Sequence, residues 1–301
     1  MKNLSPSATG ILLYILAIAS MSVMDLLAKL LAGHVPVPQV IWARYAGQTA
    51  VVTLFLLPRL GTVVRTRHPG LHFLRSLFLL LATTAFFFGI SRMGLAEATA
   101  IIDVNPVLIT LGAALFLGEK FGLRRALGIG AALIGALIII RPGSAVFSPV
   151  ALLPLAAAIC FASFAVATRF LGRNESIWTS LFYTALLGAL VMSVVVIPFW
   201  VRPDATALTL MVGIGLVSAV GQFLLIRALM LAEASAVAPF SYVGLLFATL
   251  WGMLFFDTFP DQATMLGGAI IVGAGIYVWR RETQDAKTAE VEAIKGEMPG
   301  P

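Results

Sequence analysis

Charge is what this chain has least of. Only 11% of its 301 residues are Asp, Glu, Lys or Arg, 60% are hydrophobic, and the mean hydropathy is +0.99, whereas ordinary soluble domains are about 45–50% apolar. Such a composition belongs in a bilayer rather than in water. Cysteine is nearly missing as well: Cys160 stands alone, so no intramolecular disulfide can form. The three histidines, His34, His68 and His72, fall in loops or at the edge of an apolar stretch, without an HExxH zinc pattern. No GxxxxGK[ST] loop offers a nucleotide cradle, which argues against ATP-driven pumping by this chain. There is no GxSxG motif, and no acidic cluster of the kind that holds magnesium in membrane-bound prenyl-transfer enzymes. Neither metal nor cofactor is expected.

Long polar loops are also absent. The longest, from Pro58 to Leu71, is too short to fold alone, and the tail after Trp279 is charged and poor in apolar residues, as in disordered segments. Nothing soluble is left to carry an enzyme.

What is present is a series of apolar stretches. About twenty apolar residues cross a bilayer as a helix, since a rise of about 1.5 Å per residue must cover about 30 Å of hydrocarbon. Ten spans are expected, at about 10–31, 38–57, 72–92, 96–118, 124–140, 150–170, 177–199, 207–230, 234–256 and 262–279. The fold class is therefore an all-α integral membrane protein. The first span lacks a small-residue cleavage site and reads as a retained helix rather than a signal peptide.

A net charge of +6 and a pI near 9.8 could suggest a nucleic-acid partner, but the distribution points to lipid. With the N-terminus in the cytoplasm, only Lys29, Arg92, Arg141 and Arg202 of the 20 Lys and Arg residues fall outside, and Arg44 lies within a span. The rest, Arg75 among them, fall on the cytoplasmic side. That asymmetry predicts cytoplasmic termini and a multi-pass protein of the cell inner membrane.

Two segments nearly repeat. LAEATA (Leu95 to Ala100) and LAEASA (Leu231 to Ala236) differ by one Thr/Ser exchange at an offset of 136, and Ala28-Lys29-Leu30-Leu31 echoes Thr168-Arg169-Phe170-Leu171 at an offset of 140. Glu119-Lys120-Phe121 is matched by Asp257-Thr258-Phe259, and Gly128 and Gly135 by Gly268 and Gly275. Each half then holds five spans. An odd number forces the second half to insert upside down relative to the first, the inverted-repeat arrangement of many secondary transporters. The expected organisation is a cytoplasmic N-terminus at 1–9, one repeat over 10–140, its inverted copy over 150–279, and a charged cytoplasmic tail over 280–301.

These residues carry a resemblance. The block from Pro106 to Lys120, PVLITLGAALFLGEK, resembles the EamA-type repeat of the drug/metabolite transporter superfamily. So do FLRSLFLLLATTAFFFGISRMGLAEATAII, VGLLFATLWGMLFFDTFPD and LGGAIIVGAGIYVWRRE, and the likeness runs from about Gly10 to Glu282. It implies a ten-helix transporter of two five-helix repeats. Members of that family carry amino acids, nucleotide-linked sugars, vitamins, S-adenosylmethionine and toxic compounds, in either direction. The second half departs from the pattern at Asp257, which stands for Glu119, and at Tyr242 or Val243, which stands for Pro106.

A charge in the bilayer centre costs about 2.5–3.5 kcal/mol on insertion scales, so it needs a partner or a task. Asp25, Arg44 and Asp103 are the candidates, each roughly 9–10 Å below the outer boundary at about 1.5 Å per residue, hence in one layer. Arg44 could take one carboxylate in a bidentate pair, leaving the other for a cation, a substrate amine or a proton; a structural ion pair is the alternative. Pro106 removes a backbone donor and clashes with the Ile102 carbonyl, so the helix should open beside Asp103 and Asn105. In the second half Pro239, Ser241 and Tyr242 in the ninth span, Gln222 in the eighth, and Ser163 and Thr168 in the sixth are polar, with Tyr242 and Gln222 preferred.

Lys29, Arg92 and Arg227 lie near an interface and can snorkel. Phe86, Phe87 and Phe88 read as lipid- or helix-facing packing. Gly128/Ala132, Ala131/Gly135 and Ala269/Gly273 allow close helix contact, internally or in a homodimer. The expected function is secondary transport of a small polar or amphipathic metabolite by alternating access, with proton or other ion coupling through Asp103 or Asp25. A membrane-embedded enzyme acting on lipid-linked substrates and a non-transporting assembly subunit are the competing readings.

Overall fold

The computed structural model describes residues 6–118, 122–140, 149–171 and 175–257, and beyond them 262, 265–270, 272–274, 276–277 and 280. The described residues are helical wherever regular. Helix α1 runs over Pro6–Leu31, α2 over Val37–Leu56, the short α3 over Leu60–Val63, and α4 over Pro69–Ile90. Then come α5 (Leu95–Ile102), α6 (Asn105–Gly112), α7 (Leu123–Ile140), α8 (Leu152–Leu171), α9 (Ile177–Val195), α10 (Ala205–Leu231), α11 (Ala234–Val237) and α12 (Val243–Phe255). Helical residues recur at 265–270 and 272–274.

Local chemistry sets the ends. Helices α2 and α4 carry proline in the first turn, where its missing N–H has no intrahelical partner to lose. Ser176 caps α9 by accepting from the Trp178 N–H (3.3 Å), and Asp204 caps α10 by accepting from that of Ala207 (2.6 Å).

Among the described residues six helical stretches are long and apolar enough to cross a membrane: Pro6–Leu31, Val37–Val63, Pro69–Ile90, Pro149–Leu171, Ile177–Val195 and Ala205–Leu231. Shorter apolar helices cover Ala98–Ile109, Ala126–Gly135, Phe240–Phe255 and Met265–Ala274. Many large apolar side chains face outward, including Leu54, Phe116, Leu123 and Val194, a surface suited to lipid rather than water.

Two of the expected spans are not continuous. The stretch at 96–118 breaks after Ile102, restarts at Asn105 and ends in a wide π turn at Ala113–Leu117. The stretch at 234–256 becomes a tight 3-10 turn at Ala238–Tyr242 between α11 and α12. Each ends on a left-handed residue, Gly118 (φ +65°) and Asp257 (φ +52°); glycine has no Cβ to clash there, and Asp is among the few others that tolerate it. The broken segments lie against each other, α6 on the 3-10 turn and α5 on α12.

The main packing joins the two halves of the sequence: α1 on α10, α4 on α8, and α2 on both α9 and α10. Helices α2 and α10 cross where Gly47 meets Gly215; a Cβ on Gly215 would lie 2.6 Å from the Gly47 Cα, so neither glycine can grow. That contact is among the tightest in the fold, and around Gly273 there is open space within the chain. Two apolar clusters divide the interior along α1, one from Ile11, Tyr14 and Ala17, the other from Met24, Ala28 and Leu31.

Arg75, grouped by charge pattern with the cytoplasmic residues, is fully buried in α4. Its Nε donates to Thr168 Oγ1 (2.7 Å), and its Nη1 donates to Thr184 Oγ1 (2.7 Å) and the Ser180 carbonyl (2.9 Å). The Phe164 ring lies 4.9 Å from the guanidinium, so this cation bolts α4 to α8 and α9.

Candidate substrate-binding site

Between the two apolar clusters α1 turns polar, and a cavity opens beside Met21, Ser22 and Asp25. The cavity and its open mouth together hold about 860 Å³ free of protein atoms. Arg44 enters from α2, Thr83, Phe86 and Phe87 from α4, Phe161 from α8, and Ser241, Gly244 and Ala248 from the second broken segment. The first broken segment supplies Thr99, Ile102, Asp103 and Asn105.

The interruption between α5 and α6 follows from Pro106. Lacking an N–H, it leaves the Ile102 carbonyl without its donor four residues on, and Asp103 and Val104 form a turn instead. Both Asp103 and Asn105 are buried, and Asp103 Oδ2 and Asn105 Oδ1 have no hydrogen-bond partner.

Asp25, Arg44 and Asp103, expected in one layer, thus share one cavity. The expected Arg44–carboxylate ion pair is not formed among the described residues. Arg44 Nε donates to the Met24 sulfur at 3.1 Å, and Nη1 donates to Thr83 Oγ1. Its guanidinium also lies 4.7 Å from the Tyr45 ring centre and 6.0 Å from that of Phe87. Hydroxyl, sulfur and ring faces serve this cation.

Three further candidates stand off the cavity wall. Pro106 is buried and shapes the break without lining the space. Tyr242 is fully buried in a small cluster with Ala100, Leu245 and Ala274, its hydroxyl unpartnered. Gln222 is buried on α10, and neither of its amide atoms has a partner. Phe86 and Phe87 do pack into the core, as expected of helix-facing rings, and they form part of the cavity wall besides.

Sequence reasoning did not single out Ser22, Thr83, Thr99 or Phe161. Helical hydroxyls can bond their own carbonyls, as Thr99 does with Leu95 (2.8 Å) and Ser22 with Ala19 (2.8 Å), so their presence in a span signals nothing. Tyr14, likewise missed, meets Ser241 Oγ at 2.7 Å and ties α1 to the second broken segment. Lys29, read as snorkelling, instead donates to the Ile90 and Met93 carbonyls (both 2.9 Å) at the end of α4.

The chain matches the model of the EamA-like transporter family twice, over residues 8–141 and 148–280. It belongs to the EamA-like transporter family. Curated relatives of this EamA-like protein are transporters, not enzymes. One is a pseudopaline exporter of Pseudomonas aeruginosa, 31% identical over 278 residues, 90% of this chain and 96% of the relative. Another is a riboflavin transporter of Rhizobium johnstonii, 30% identical over 287 residues, 92% and 93% of the two chains. A third is an S-adenosylmethionine uptake transporter of Rickettsia prowazekii, 26% identical over 269 residues, 89% and 92%. A solved crystal structure shares the fold, with TM-score 0.75 at 21% identity over 89% of this chain and 97% of that one. This EamA-like protein is a multi-pass membrane transporter of small metabolites.

Proposed function

We propose that this chain is a secondary transporter of the inner membrane, moving a small polar or amphipathic metabolite by alternating access. The cargo is of the amino-acid, vitamin, nucleoside-like or S-adenosylmethionine-like kind. The cavity carries the reading, because its wall takes residues from both interrupted segments. Interrupted apolar helices at corresponding places in two halves are the usual sign of a transporter's central site.

Ten spans in two inverted repeats with cytoplasmic termini complete this reading. The two successive family matches support it. So do the pairings: α1 with α10 and α4 with α8 exchange when the first and sixth spans swap with each other, and the third with the eighth. Lys29 reaches the end of α4 as Arg169 reaches the Leu229 and Met230 carbonyls (3.3 and 3.2 Å) at the end of α10.

Asp25, Arg44, Asp103 and Asn105 hold the cargo or a coupled ion, Pro106 keeps the helix open beside Asp103 and Asn105, and Gln222 and Tyr242 are the second half's buried polar contribution. Reconstitution into liposomes tests this. Uptake of a metabolite from a panel of these classes is expected, with Asp103→Asn and Arg44→Gln each lowering flux by about tenfold or more, as losing a charged hydrogen bond does. Flux unchanged in both variants removes these residues from the mechanism; no flux with any metabolite removes the transporter reading.

A further inference from the structure

The groups on the cavity wall are not evenly served. Arg44 has its sulfur, hydroxyl and ring partners. Asp103 has no basic partner among the described residues, and its Oδ2 accepts no hydrogen bond. Two residues on, Asn105 Oδ1 is equally buried and equally without a donor. Ile102, whose carbonyl Pro106 deprives of its helical donor, lines the same space. The C-terminal end of α5, which carries the negative end of the helix dipole, also falls here. The recess therefore gathers two buried acceptors without partners, Asp103 Oδ2 and Asn105 Oδ1, beside a helix C-terminus. A proton on Asp103 supplies a single donor, whereas a group with several N–H bonds and a positive charge can serve both acceptors. Phe86, Phe87 and Phe161 line the same cavity.

We propose that the recess between α5 and α6 binds the ammonium end of the cargo, a primary or secondary amine in its protonated form. Asp103 and Asn105 accept its hydrogens, and the Phe86, Phe87 and Phe161 rings hold an apolar or flat body. This rests on the transporter reading above and narrows its substrate class to amine-bearing compounds.

Thermal unfolding of the purified full-length protein in detergent, near neutral pH, tests the idea with simple probes. They are 2-phenylethylamine, its N-acetyl derivative, its N,N,N-trimethylammonium analogue, phenylacetate, and sodium chloride alone. A ligand of the folded form raises its stability by mass action. The amine is expected to stabilise. The trimethylammonium analogue, which keeps the charge but has no N–H, should act about tenfold more weakly. The acetylated probe, phenylacetate and sodium should not stabilise. Asp103→Asn should weaken the amine's effect by about tenfold, and if that variant does not fold, Asn105→Leu takes its place with the same expectation. Equal protection by amine and acetyl probes, protection by phenylacetate or sodium instead, no effect of either variant, or no protection by any probe at tens of millimolar overturns the proposal. Metabolite flux in liposomes without preference for amines ends this inference while the transporter reading stands.

Discussion

The two halves of the chain share a frame and differ in chemistry. Each interrupts one short apolar segment, ends it on a left-handed residue, and sends one cation to the carbonyls closing a long helix: Lys29 to α4 and Arg169 to α10. Yet every charged residue of the cavity wall comes from the first half; the second supplies Phe161, Ser241, Gly244 and Ala248. At the offset of 136 Asn105 corresponds to Ser241, and the segment with two unpartnered acceptors faces one whose hydroxyl already meets Tyr14. Duplication preserves what packing requires, because a helix end needs its carbonyls covered in either copy. A binding site has no such need, and one set of charges suffices for one cargo.

Four changes sharpen or break that comparison. The glycine crossing belongs to both halves equally, so Gly47→Ala and Gly215→Ala should each destabilise by about 1–3 kcal/mol, the usual effect of overpacking, seen as a lower unfolding temperature. A loss confined to one variant would show that the helices can slide apart. Next, Asn105→Ala should weaken cargo binding by about tenfold while Ser241→Ala changes it about twofold, measured by ligand-induced thermal stabilisation; equal effects would restore symmetry to the site. Lys29→Ala and Arg169→Ala should lower stability alike, by about 1 kcal/mol each, as for a cation at a helix C-terminus.

The smallest effect concerns Glu175, where the halves meet outside the spans. Burial would raise its carboxyl above the usual 4.5, but donation from Thr66 Oγ1 (2.6 Å) and the Arg67 N–H (3.0 Å), with His72 and His68 nearby, holds it lower. Its folded form is thus the stronger acid, and its stabilisation is present above the unfolded value and lost as pH falls through the folded one. Glu175→Gln should flatten the fall in unfolding temperature between about pH 5 and pH 3.

The long spans were legible because twenty apolar residues in a row have few other uses. The layer of Asp25, Arg44 and Asp103 was also legible, since helix rise converts residue number into depth. The break at Asp103 announced itself through Pro106, whereas the 3-10 turn at Ala238–Tyr242 was read as plain helix despite Pro239. Arg44's partners were not legible. A threonine and a methionine in a span carry no mark of whom they serve, and the expectation of a carboxylate partner overlooked how many N–H groups soft and hydroxyl acceptors can take. The burial of Arg75 was not legible for a related reason: charge counting assigns a side of the membrane but cannot see a cation buried among threonines.

The proposed inversion of one half against the other underlies this account, and the orientation of their first residues tests it most directly. Single cysteines placed at Ser7 and Val150, in a chain whose Cys160 is changed to Ala, can be labelled in intact cells with a reagent that does not cross the membrane. Val150→Cys should react from outside and Ser7→Cys only after the membrane is opened. Labelling of both from the same side would contradict the inverted arrangement.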